Sequence, residues 1–529
     1  MKRSDQINKI ANPETLWDVL IIGGGATGLG LAVDAASRGY KTLLLEQHDF
    51  AKSTSSRSTK LVHGGVRYLA QGDVSLVIEA LRERGRLKQN APHLFKSQRF
   101  IIGNYKWWEK PFYTIGLTVY DILSGSRTLG RSKPLKKNTV LKEIPQIKQS
   151  NLKGGVVYYD GQFDDARLAI NLLQTAIEHD ATAANYIEVT SLTKNTNATL
   201  NGVTAIDKIT NQEFTIKAKS IINATGIFVD KILQMDAPED DNIVRPSQGV
   251  HLVVDQSFLG GDSAIMIPKT SDGRVLFGVP WHGKAILGTT DTPLKEFVLE
   301  PVALEEEVDF ILKTAGQYLE KQPTKEDVLS VFAGLRPLAA PKKGSNSTKE
   351  ISRSHKIIAS DSGLVTVTGG KWTTYREMAE ETLDKAIEVC HLENKACVSK
   401  NLRIHGYQTT TDRSNFSYVY GSDLKKIQEL CDNQPELRDT LHPRFDFIKA
   451  EVVWAIHHEM ALTIEDVLAR RLRALFLDAR AAIDIAPKVA SIIAKEMNKD
   501  KNWENQQVND FIELAQNYLL TQYKPQTTK

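Results

Sequence analysis

A glycine-rich turn between an apolar strand and a helix is the feature that most constrains the fold of this 529-residue chain. The apolar run Asp18–Ile22 leads directly into the glycines, a helical pattern follows from Thr27 to Arg38, and a second apolar run, KTLLLE, ends at Glu46. This order predicts a β-α-β unit, and strands that are apolar on both faces are typical of a parallel sheet covered by helices. We therefore expect an α/β fold that begins with this unit.

The glycines of the turn, Gly23, Gly25 and Gly28, have the spacing G-x-G-x-x-G. In this motif they provide a tight turn, a close approach of the backbone to a pyrophosphate, and close packing of helix on strand. The helix that follows presents its N-terminus to the phosphates. Glu46 ends the second strand, where a carboxylate binds ribose hydroxyls and disfavours a 2′-phosphate. The unit predicts a bound dinucleotide but does not by itself distinguish FAD from NAD.

Two later segments favour FAD. SIINATGIFVD, residues 220–230, is an apolar strand that ends in Ala-Thr-Gly at Gly226. GLVTVTGGKWTTYR, residues 363–376, is another strand, followed by the turn Gly369-Gly370 and a helix. A long flavin cofactor needs several backbone segments that are far apart in sequence, and these two segments supply them.

The composition excludes several classes of protein. Hydrophobic residues make up 41% and charged residues 25% of the chain, which is ordinary for a globular protein. The net charge of +3 gives no sign of a nucleic-acid partner. The three cysteines have no metal-ligand spacing and fit a reducing compartment. The N-terminus has no apolar segment typical of a signal peptide, and no run of about 18 apolar residues predicts a membrane-spanning helix.

Several motifs together carry a resemblance to a known family. In chain order they are TSSRSTKLVHGGVRYL (54–69), VRPSQGVHLVV (244–254), ILGTTDTP (286–293), AGLRPL (333–338), ISRSH (351–355) and TGGKWTTYR (368–376). With the front end, they closely resemble the FAD-dependent glycerol-3-phosphate dehydrogenases of the D-amino-acid-oxidase-like flavoprotein superfamily. Because the motifs occur in the same order from about residue 16 to about residue 480, the resemblance is far more specific than any one of them.

The resemblance implies an α/β fold with a discontinuous Rossmann-like FAD-binding domain, an inserted antiparallel β substrate domain and a helical C-terminal domain. The expected boundaries are 1–90, 150–235 and 340–388 for the FAD-binding domain, 91–149 and 236–339 for the substrate domain, and 389–529 for the helical domain. The cofactor that the resemblance implies is FAD, and no metal site is expected.

The activity that the resemblance implies is oxidation of sn-glycerol 3-phosphate to dihydroxyacetone phosphate, with electrons passed through FAD to a membrane quinone. Three alternatives stay open. The chain could be a glycerol-3-phosphate oxidase that produces hydrogen peroxide, an amine or amino-acid oxidase, or a redox-inactive flavin-binding membrane protein. Family members often dimerise, so a homodimer is the assembly that the resemblance suggests.

The chemistry of alcohol oxidation selects candidate site residues within these motifs. A base that removes a hydroxyl proton near neutral pH is most often a histidine, and a phosphate needs cationic partners, above all arginine. The base candidates are His251 and His63, and Arg336, in an apolar setting, is counted with them as catalytic. The predicted substrate-binding residues are Arg67, Tyr68, Arg336, Arg353 and Lys371.

The glycine motif, the two later segments and the resemblance together predict the cofactor contacts. They are Gly23, Gly25, Gly28, Glu46, Ser55, Ser56, Lys60, Gly226, Gly369, Gly370, Lys371, Thr373 and Thr374.

Residues 103–140 predict contact with a membrane surface. They contain seven basic and two acidic residues, a net of +5 that exceeds the surplus of the whole chain. Trp107 and Trp108 lie beside lysines, and Ile115–Leu123 can form an apolar helix face, as in interfacial helices. We expect a cytoplasmic protein that binds peripherally to the inner face of the cell membrane. The alternative is a core-packed segment with a solvated basic edge.

Overall fold

The predicted β-α-β unit forms the start of the main sheet. A computed structural model describes residues 1–70, 72–239, 242–271, 273–339 and 355–523, without the side chains of residues 67, 70 and 339. Its strands are β1 (Leu16–Ile22), β2 (Thr42–Leu45), β3 (Leu61–Val62), β4 (Lys96–Asn104), β5 (Lys133–Lys136), β6 (Gly154–Gln162), β7 (Thr182–Ala184), β8 (Ile187–Lys194), β9 (Leu200–Asp207), β10 (Glu213–Asn223), β11 (Val244–Asp255), β12 (Ala264–Ile267), β13 (Leu276–Trp281), β14 (Lys284–Gly288), β15 (Thr292–Pro293), β16 (Ser330–Ala339), β17 (His355–Ala359), β18 (Leu364–Gly369), β19 (Thr440–His442) and β20 (Phe445–Ile448).

Helices connect and cover these strands. They are α1 (Arg3–Ile10), α2 (Ala26–Ser37), α3 (Val66–Ala70), α4 (Val74–Asn90), α5 (Glu109–Ser124), α6 (Lys137–Glu143), α7 (Asp165–Glu178), α8 (Val229–Asp236), α9 (Glu305–Tyr318), α10 (Tyr375–Val389), α11 (Leu424–Asn433), α12 (Lys449–His458), α13 (Ala474–Leu477), α14 (Ala479–Met497) and α15 (Lys501–Gln516). Within the described residues, no helix is long and apolar enough to cross a membrane.

The first sheet has a parallel centre. Its strand order is β17-β18-β10-β1-β2-β7, and β9 and β8 extend it beside β10. β1 runs parallel to β10 and β2, whereas β17 is antiparallel to β18. Val19, Leu20 and Ile21 of β1 are completely buried because helices cover both faces, and α2 packs against α7 and α10. The predicted α/β class with a Rossmann-like sheet is therefore confirmed.

The second sheet is mainly antiparallel and has the order β15-β11-β14-β13-β12-β4-β6-β3, with β16 beside β11 and β5 beside β6. One pair, β12 with β4, is parallel. β3 and β6 belong to this sheet and not to the first one, although both lie within the ranges predicted for the FAD-binding domain. β6 pairs with β4 along its whole length, from Lys96 opposite Gln162 to Asn104 opposite Gly154. A strand pattern shows which face is buried but not which sheet the strand joins.

The C-terminal region is mostly helical and is bound to the first sheet by buried charges. Arg470 and Arg471 both donate hydrogen bonds to the carboxylate of Asp49, which follows β2. Arg473 donates to Asp165 at the start of α7, at 3.0 Å. All five side chains are buried. Burial alone would raise the pKa of Asp49, but Arg471 and Arg470 bring it down to about 2, below its ordinary value of 3.8.

We expect Asp49→Asn to reduce the free energy of unfolding by about 3 to 5 kcal/mol, because it removes the buried carboxylate that two buried guanidinium groups share. Urea unfolding followed by circular dichroism measures this change. Because the pKa is depressed by folding, the wild-type contribution is complete above about pH 4 and declines as the pH falls toward 2. The exposed pair Lys385–Glu388 supplies the control Glu388→Gln, which should change stability by less than about 0.5 kcal/mol. Equal stability of the two variants would contradict the prediction.

Candidate functional site

A single elongated cavity extends from the glycine turn after β1 to the second sheet. At one end its wall includes Gly23, Gly25 and Glu46, and at the other end it includes His251 and Arg336. Residues from both sheets and from the loop after β2 line the space between these ends. The cavity therefore joins the predicted nucleotide-binding elements to the predicted catalytic residues.

The glycine turn leaves no room for side chains at its critical positions. Gly23 has φ of +110°, and a Cβ there would lie 2.7 Å from the carbonyl oxygen of Ala224. A Cβ on Gly28 would lie 1.8 Å from the carbonyl oxygen of Gly23, so Gly28 allows α2 to pack onto the turn. The N–H of Ala26 donates to Ser55 Oγ at 2.8 Å, which attaches the loop after β2 to the start of α2. These contacts place backbone N–H groups and a helix N-terminus beside the cavity.

Glu46 lies at the carboxyl end of β2, as the sequence predicts. Its carboxylate accepts hydrogen bonds from the N–H groups of Gly24 at 2.6 Å and His48 at 2.8 Å. Burial raises the pKa of Glu46, and the two N–H donors oppose that rise. The two donors fix the carboxylate at the edge of the cavity, where it can accept hydrogen bonds from ribose hydroxyls.

His251 is a buried neutral imidazole at the other end of the cavity. Its Nε2 lies 2.9 Å from Thr59 Oγ1, and its ring stacks on Phe332 with centroids 4.8 Å apart. Burial, Lys60 and Arg336 lower the pKa of His251 well below 6.5, so the ring is neutral near pH 7. Its Nδ1 has no hydrogen-bond partner among the described residues. One nitrogen of a neutral imidazole carries no proton, so the ring can act as a base.

Arg336 projects from β16 into the same end of the cavity. It donates to Thr289 Oγ1 at 3.1 Å, and it forms a 3.3 Å ion pair with Asp291. Two glycines make room for the site: a Cβ on Gly249 would meet Arg336 Nη2 at 2.3 Å, and one on Gly288 would meet His251 Cδ2 at 2.4 Å. The close pairing of β11 with β16 and β14 therefore determines where both side chains lie.

His63, Tyr68 and Lys371 also line the cavity. The Lys371 ammonium lies 3.8 Å from the centroid of the Tyr68 ring, a cation–π contact. His63 approaches Phe277 edge to face, with centroids 6.5 Å apart. The structure thus brings together both predicted base candidates and two of the predicted cations, Arg336 and Lys371.

Other predicted residues lie behind the wall or outside the described residues. Gly28, Ser56 and Thr374 are buried and are not part of the cavity wall. Lys60 was also predicted to contact the cofactor. Its ammonium instead binds Asp165 and the Ser56 carbonyl oxygen, each at 2.7 Å, in a fully buried position. The Arg67 side chain and Arg353 lie outside the part of the chain that the structure describes.

The cavity wall contains residues that sequence reasoning missed. Thr59, which contacts His251, lies within the motif TSSRSTKL. It is a polar residue of the same motif as the predicted Ser55 and Ser56, so the sequence could have indicated it. Asp160 of β6 and the apolar wall residues Phe100, Met266 and Phe277 lie outside the recognisable motifs of the sequence. They occur in ordinary strand patterns, and only the pairing of those strands brings them to the cavity.

Comparisons with known proteins agree with this geometry. Residues 18–376 match the FAD dependent oxidoreductase family, and residues 365–505 match the C-terminal domain of alpha-glycerophosphate oxidase. The fold and the cavity are those of a flavin-dependent oxidoreductase, and the chain belongs to the FAD-dependent oxidoreductase family.

Its relatives identify the group within that family. The mitochondrial glycerol-3-phosphate dehydrogenase of Schizosaccharomyces pombe is 39% identical over 570 residues, which cover 95% of this chain and 87% of the relative. The human mitochondrial enzyme is 38% identical, with coverage of 95% and 73%. The solved structure of the glycerol-3-phosphate dehydrogenase from Bacillus halodurans, complexed with FAD, has a TM-score of 0.80 at 29% identity and 99% coverage of both chains.

The residues present fit FAD. The glycine turn with the α2 N-terminus suits the pyrophosphate, and Glu46 suits the adjacent ribose. Gly226, Gly369 and Gly370 line the middle of the cavity with positive φ angles of +63°, +81° and +76°, where backbone can approach a ligand closely. Thr373 also lies in the wall. The cavity therefore has backbone and side-chain groups for a long cofactor along its length.

We expect Gly23→Ala to weaken FAD binding about 10- to 100-fold. The new Cβ would displace the Ala224 carbonyl, and the alanine would have to adopt a strained backbone conformation. Fluorescence titration of FAD into the apoprotein measures the dissociation constant. Gly116→Ala is the matched control, because a Cβ at this exposed helical position meets nothing within 4 Å. An unchanged dissociation constant for Gly23→Ala would remove the glycine turn from the cofactor site.

Proposed function

We propose that this protein oxidises sn-glycerol 3-phosphate to dihydroxyacetone phosphate and passes the electrons to a membrane quinone. The wall of one cavity contains the cofactor elements together with the buried neutral His251, His63 and the cations Arg336 and Lys371. This combination is what the oxidation of a phosphorylated secondary alcohol requires. The similarity to enzymes named glycerol-3-phosphate dehydrogenase supports the same substrate.

Different side chains bind the phosphate and remove the proton. Arg336 and Lys371 bind the phosphate dianion, and His251 or His63 removes the proton from the C2 hydroxyl. FAD, when bound, supplies the acceptor for the hydride that leaves C2. Burial of His251 keeps its ring unprotonated near pH 7. The mainly apolar wall around it, including Phe277 and Met266, excludes water from the reacting groups.

His251→Asn should slow the reduction of bound flavin by glycerol 3-phosphate at least about 100-fold, since a general base commonly contributes that much. Stopped-flow absorbance under anaerobic conditions measures the rate, and the flavin content of the purified variant shows whether the cofactor is retained. His391→Asn is the control, because His391 is exposed and its φ of +52° suits asparagine. A wild-type rate for His251→Asn, with a large loss for His63→Asn, would assign the base to His63.

The electron acceptor is tested with the same protein. Glycerol 3-phosphate is first added anaerobically, and the flavin absorbance should bleach. A quinone analogue should then restore it quickly, and air should restore it slowly. Fast recovery in air with production of hydrogen peroxide would instead identify a glycerol-3-phosphate oxidase. Absence of bleaching despite bound flavin would contradict the proposed substrate.

The outer face of α5 supports binding to a membrane surface. Trp107, two residues before α5, has an exposed fraction of 78%, and Phe112, Ile115 and Ile122 of α5 have exposed fractions of 61%, 68% and 71%, which is unusual for large apolar side chains in one short segment. We call these four residues the α5 apolar face. Tyr120 and Leu117, on the opposite side of the helix, are buried. An amphipathic helix of this kind can lie in the membrane interface with its outer side chains among the lipids.

The charges near the α5 apolar face suit anionic lipids. Lys106 and Lys110 lie at its N-terminal end, and Arg127, Arg131 and Lys133 follow its C-terminal end. Each basic residue near an anionic surface contributes about 1 kcal/mol. We therefore propose that the protein binds the inner, cytoplasmic face of the cell membrane through α5, where the quinone is available.

Replacing both Ile115 and Ile122 with glutamate should lower the affinity for lipid vesicles at least about 10-fold, because each buried isoleucine contributes about 1.5 to 3 kcal/mol. Co-sedimentation with vesicles of phosphatidylglycerol and phosphatidylcholine measures the bound fraction. Ile209→Glu is the control, since Ile209 is an exposed isoleucine in the turn between β9 and β10 of the first sheet. Equal binding of the double variant and the control would exclude α5 as the contact surface.

A further inference from the structure

The hydroxyl of Tyr120 connects α5 to the cavity. Tyr120 Oη accepts a hydrogen bond from the N–H of Gly64 at 2.8 Å and contacts both carboxylate oxygens of Asp160 at 3.0 and 2.9 Å. The side chain is almost completely buried, and burial together with Asp160 raises the pKa of Tyr120 well above 10. The hydroxyl therefore stays protonated and donates a hydrogen bond to Asp160. Its oxygen lone pair accepts the hydrogen bond from the Gly64 N–H.

The peptide unit between His63 and Gly64 is held at both of its polar groups. Its N–H donates to Tyr120, and its carbonyl oxygen accepts from Thr373 Oγ1 at 3.4 Å. The preceding N–H, that of His63, also donates to Thr373 Oγ1 at 3.2 Å. Gly64 and Gly65 follow directly, and Gly65 has φ of +77°. Because glycines permit many backbone conformations, this peptide needs external partners to keep a single orientation.

A second buried side chain fixes the acceptor of the Tyr120 hydroxyl. Arg84 of α4 donates to Asp160 at 2.6 Å and to Ser124 Oγ at 3.2 Å, and it is also buried. Asp160 lines the cavity. The arginine balances the carboxylate charge and prevents the carboxylate from turning away from Tyr120. The order of contacts is therefore Arg84, Asp160, Tyr120 and then Gly64, from α4 to the active-site turn.

We propose that Tyr120 is a positioning residue that fixes the His63 side chain in the cavity by holding the His63–Gly64 peptide. The inference rests on the proposed function, because it places His63 among the groups that act on the substrate. Tyr120 itself lies behind the wall, and its ring packs with Val77 and Leu81. Loss of its hydroxyl leaves this apolar packing in place and removes both the acceptor of the Gly64 N–H and the hydrogen bond to Asp160.

Tyr120→Phe should slow flavin reduction at saturating glycerol 3-phosphate by about 10- to 100-fold, as expected when a reacting group is displaced by about 1 Å. The substrate concentration that gives half the maximal rate should change less than about 3-fold, because the phosphate-binding cations do not contact Tyr120. Flavin content should remain that of the wild type. The proposal would be overturned if Tyr120→Phe kept the wild-type maximal rate, whether or not its half-saturating substrate concentration rose.

Tyr113→Phe is the matched control on the same helix. Tyr113 is partly buried, and within the described ranges its hydroxyl makes no hydrogen bond. This variant should keep the wild-type rate. A similar loss in both variants would mean that α5 tolerates no substitution of this kind, and it would overturn a specific role for the Tyr120 hydroxyl.

Hydrogen–deuterium exchange tests the hydrogen bond without any substrate. In the wild type and in Tyr113→Phe, the peptide that spans residues 61–69 should retain one more slowly exchanging amide than in Tyr120→Phe. If wild-type flavin is not reduced by glycerol 3-phosphate, the proposed function fails while exchange still decides whether Tyr120 holds the peptide. Equal exchange in all three proteins would overturn the proposal by itself.

Discussion

The ion pair between Asp49 and two arginines of the C-terminal region, Arg470 and Arg471, is the interaction on which the arrangement of the site depends. It joins the loop after β2, which lines the cofactor cavity, to a helical region that contributes little to the cavity wall. Arg473 makes a second connection between the C-terminal region and this part of the fold, because it donates hydrogen bonds to Asp165 and to the Ser56 carbonyl oxygen. A buried charge without its partner is costly, so the loop and the C-terminal region must fold together.

The same helix, α5, has two distinct environments on its two sides. Its outer side chains are apolar and exposed, while Tyr120 on the inner side binds the Gly64 backbone. The surface proposed to meet the membrane and the turn that carries His63 are therefore separated by the width of one helix. This arrangement would place the electron acceptor and the site of substrate oxidation on the same side of the protein.

Much of the first sheet and of the cofactor cavity could be predicted, because their signals are local. The helix predicted from Thr27 to Arg38 extends from Ala26 to Ser37 in the structure, and the glycine turn with Glu46 lies where the motif places it. Lys60 shows the limit of such reasoning. It lies within a motif whose neighbours line the cavity, yet its ammonium turns away toward Asp165. A motif determines which residues are near a site, whereas packing determines which of them face it.

The sequence by itself determined the α/β class, the glycine turn, the carboxylate after β2 and the histidines and cations available for chemistry. Only the tertiary structure decided that β6 joins the second sheet, that Asp160 reaches the cavity, and that Tyr120 binds Gly64. The physical reason is distance along the chain. Helix periodicity and turn chemistry act over a few residues, but strand pairing and buried hydrogen bonds join residues that are tens to hundreds of positions apart.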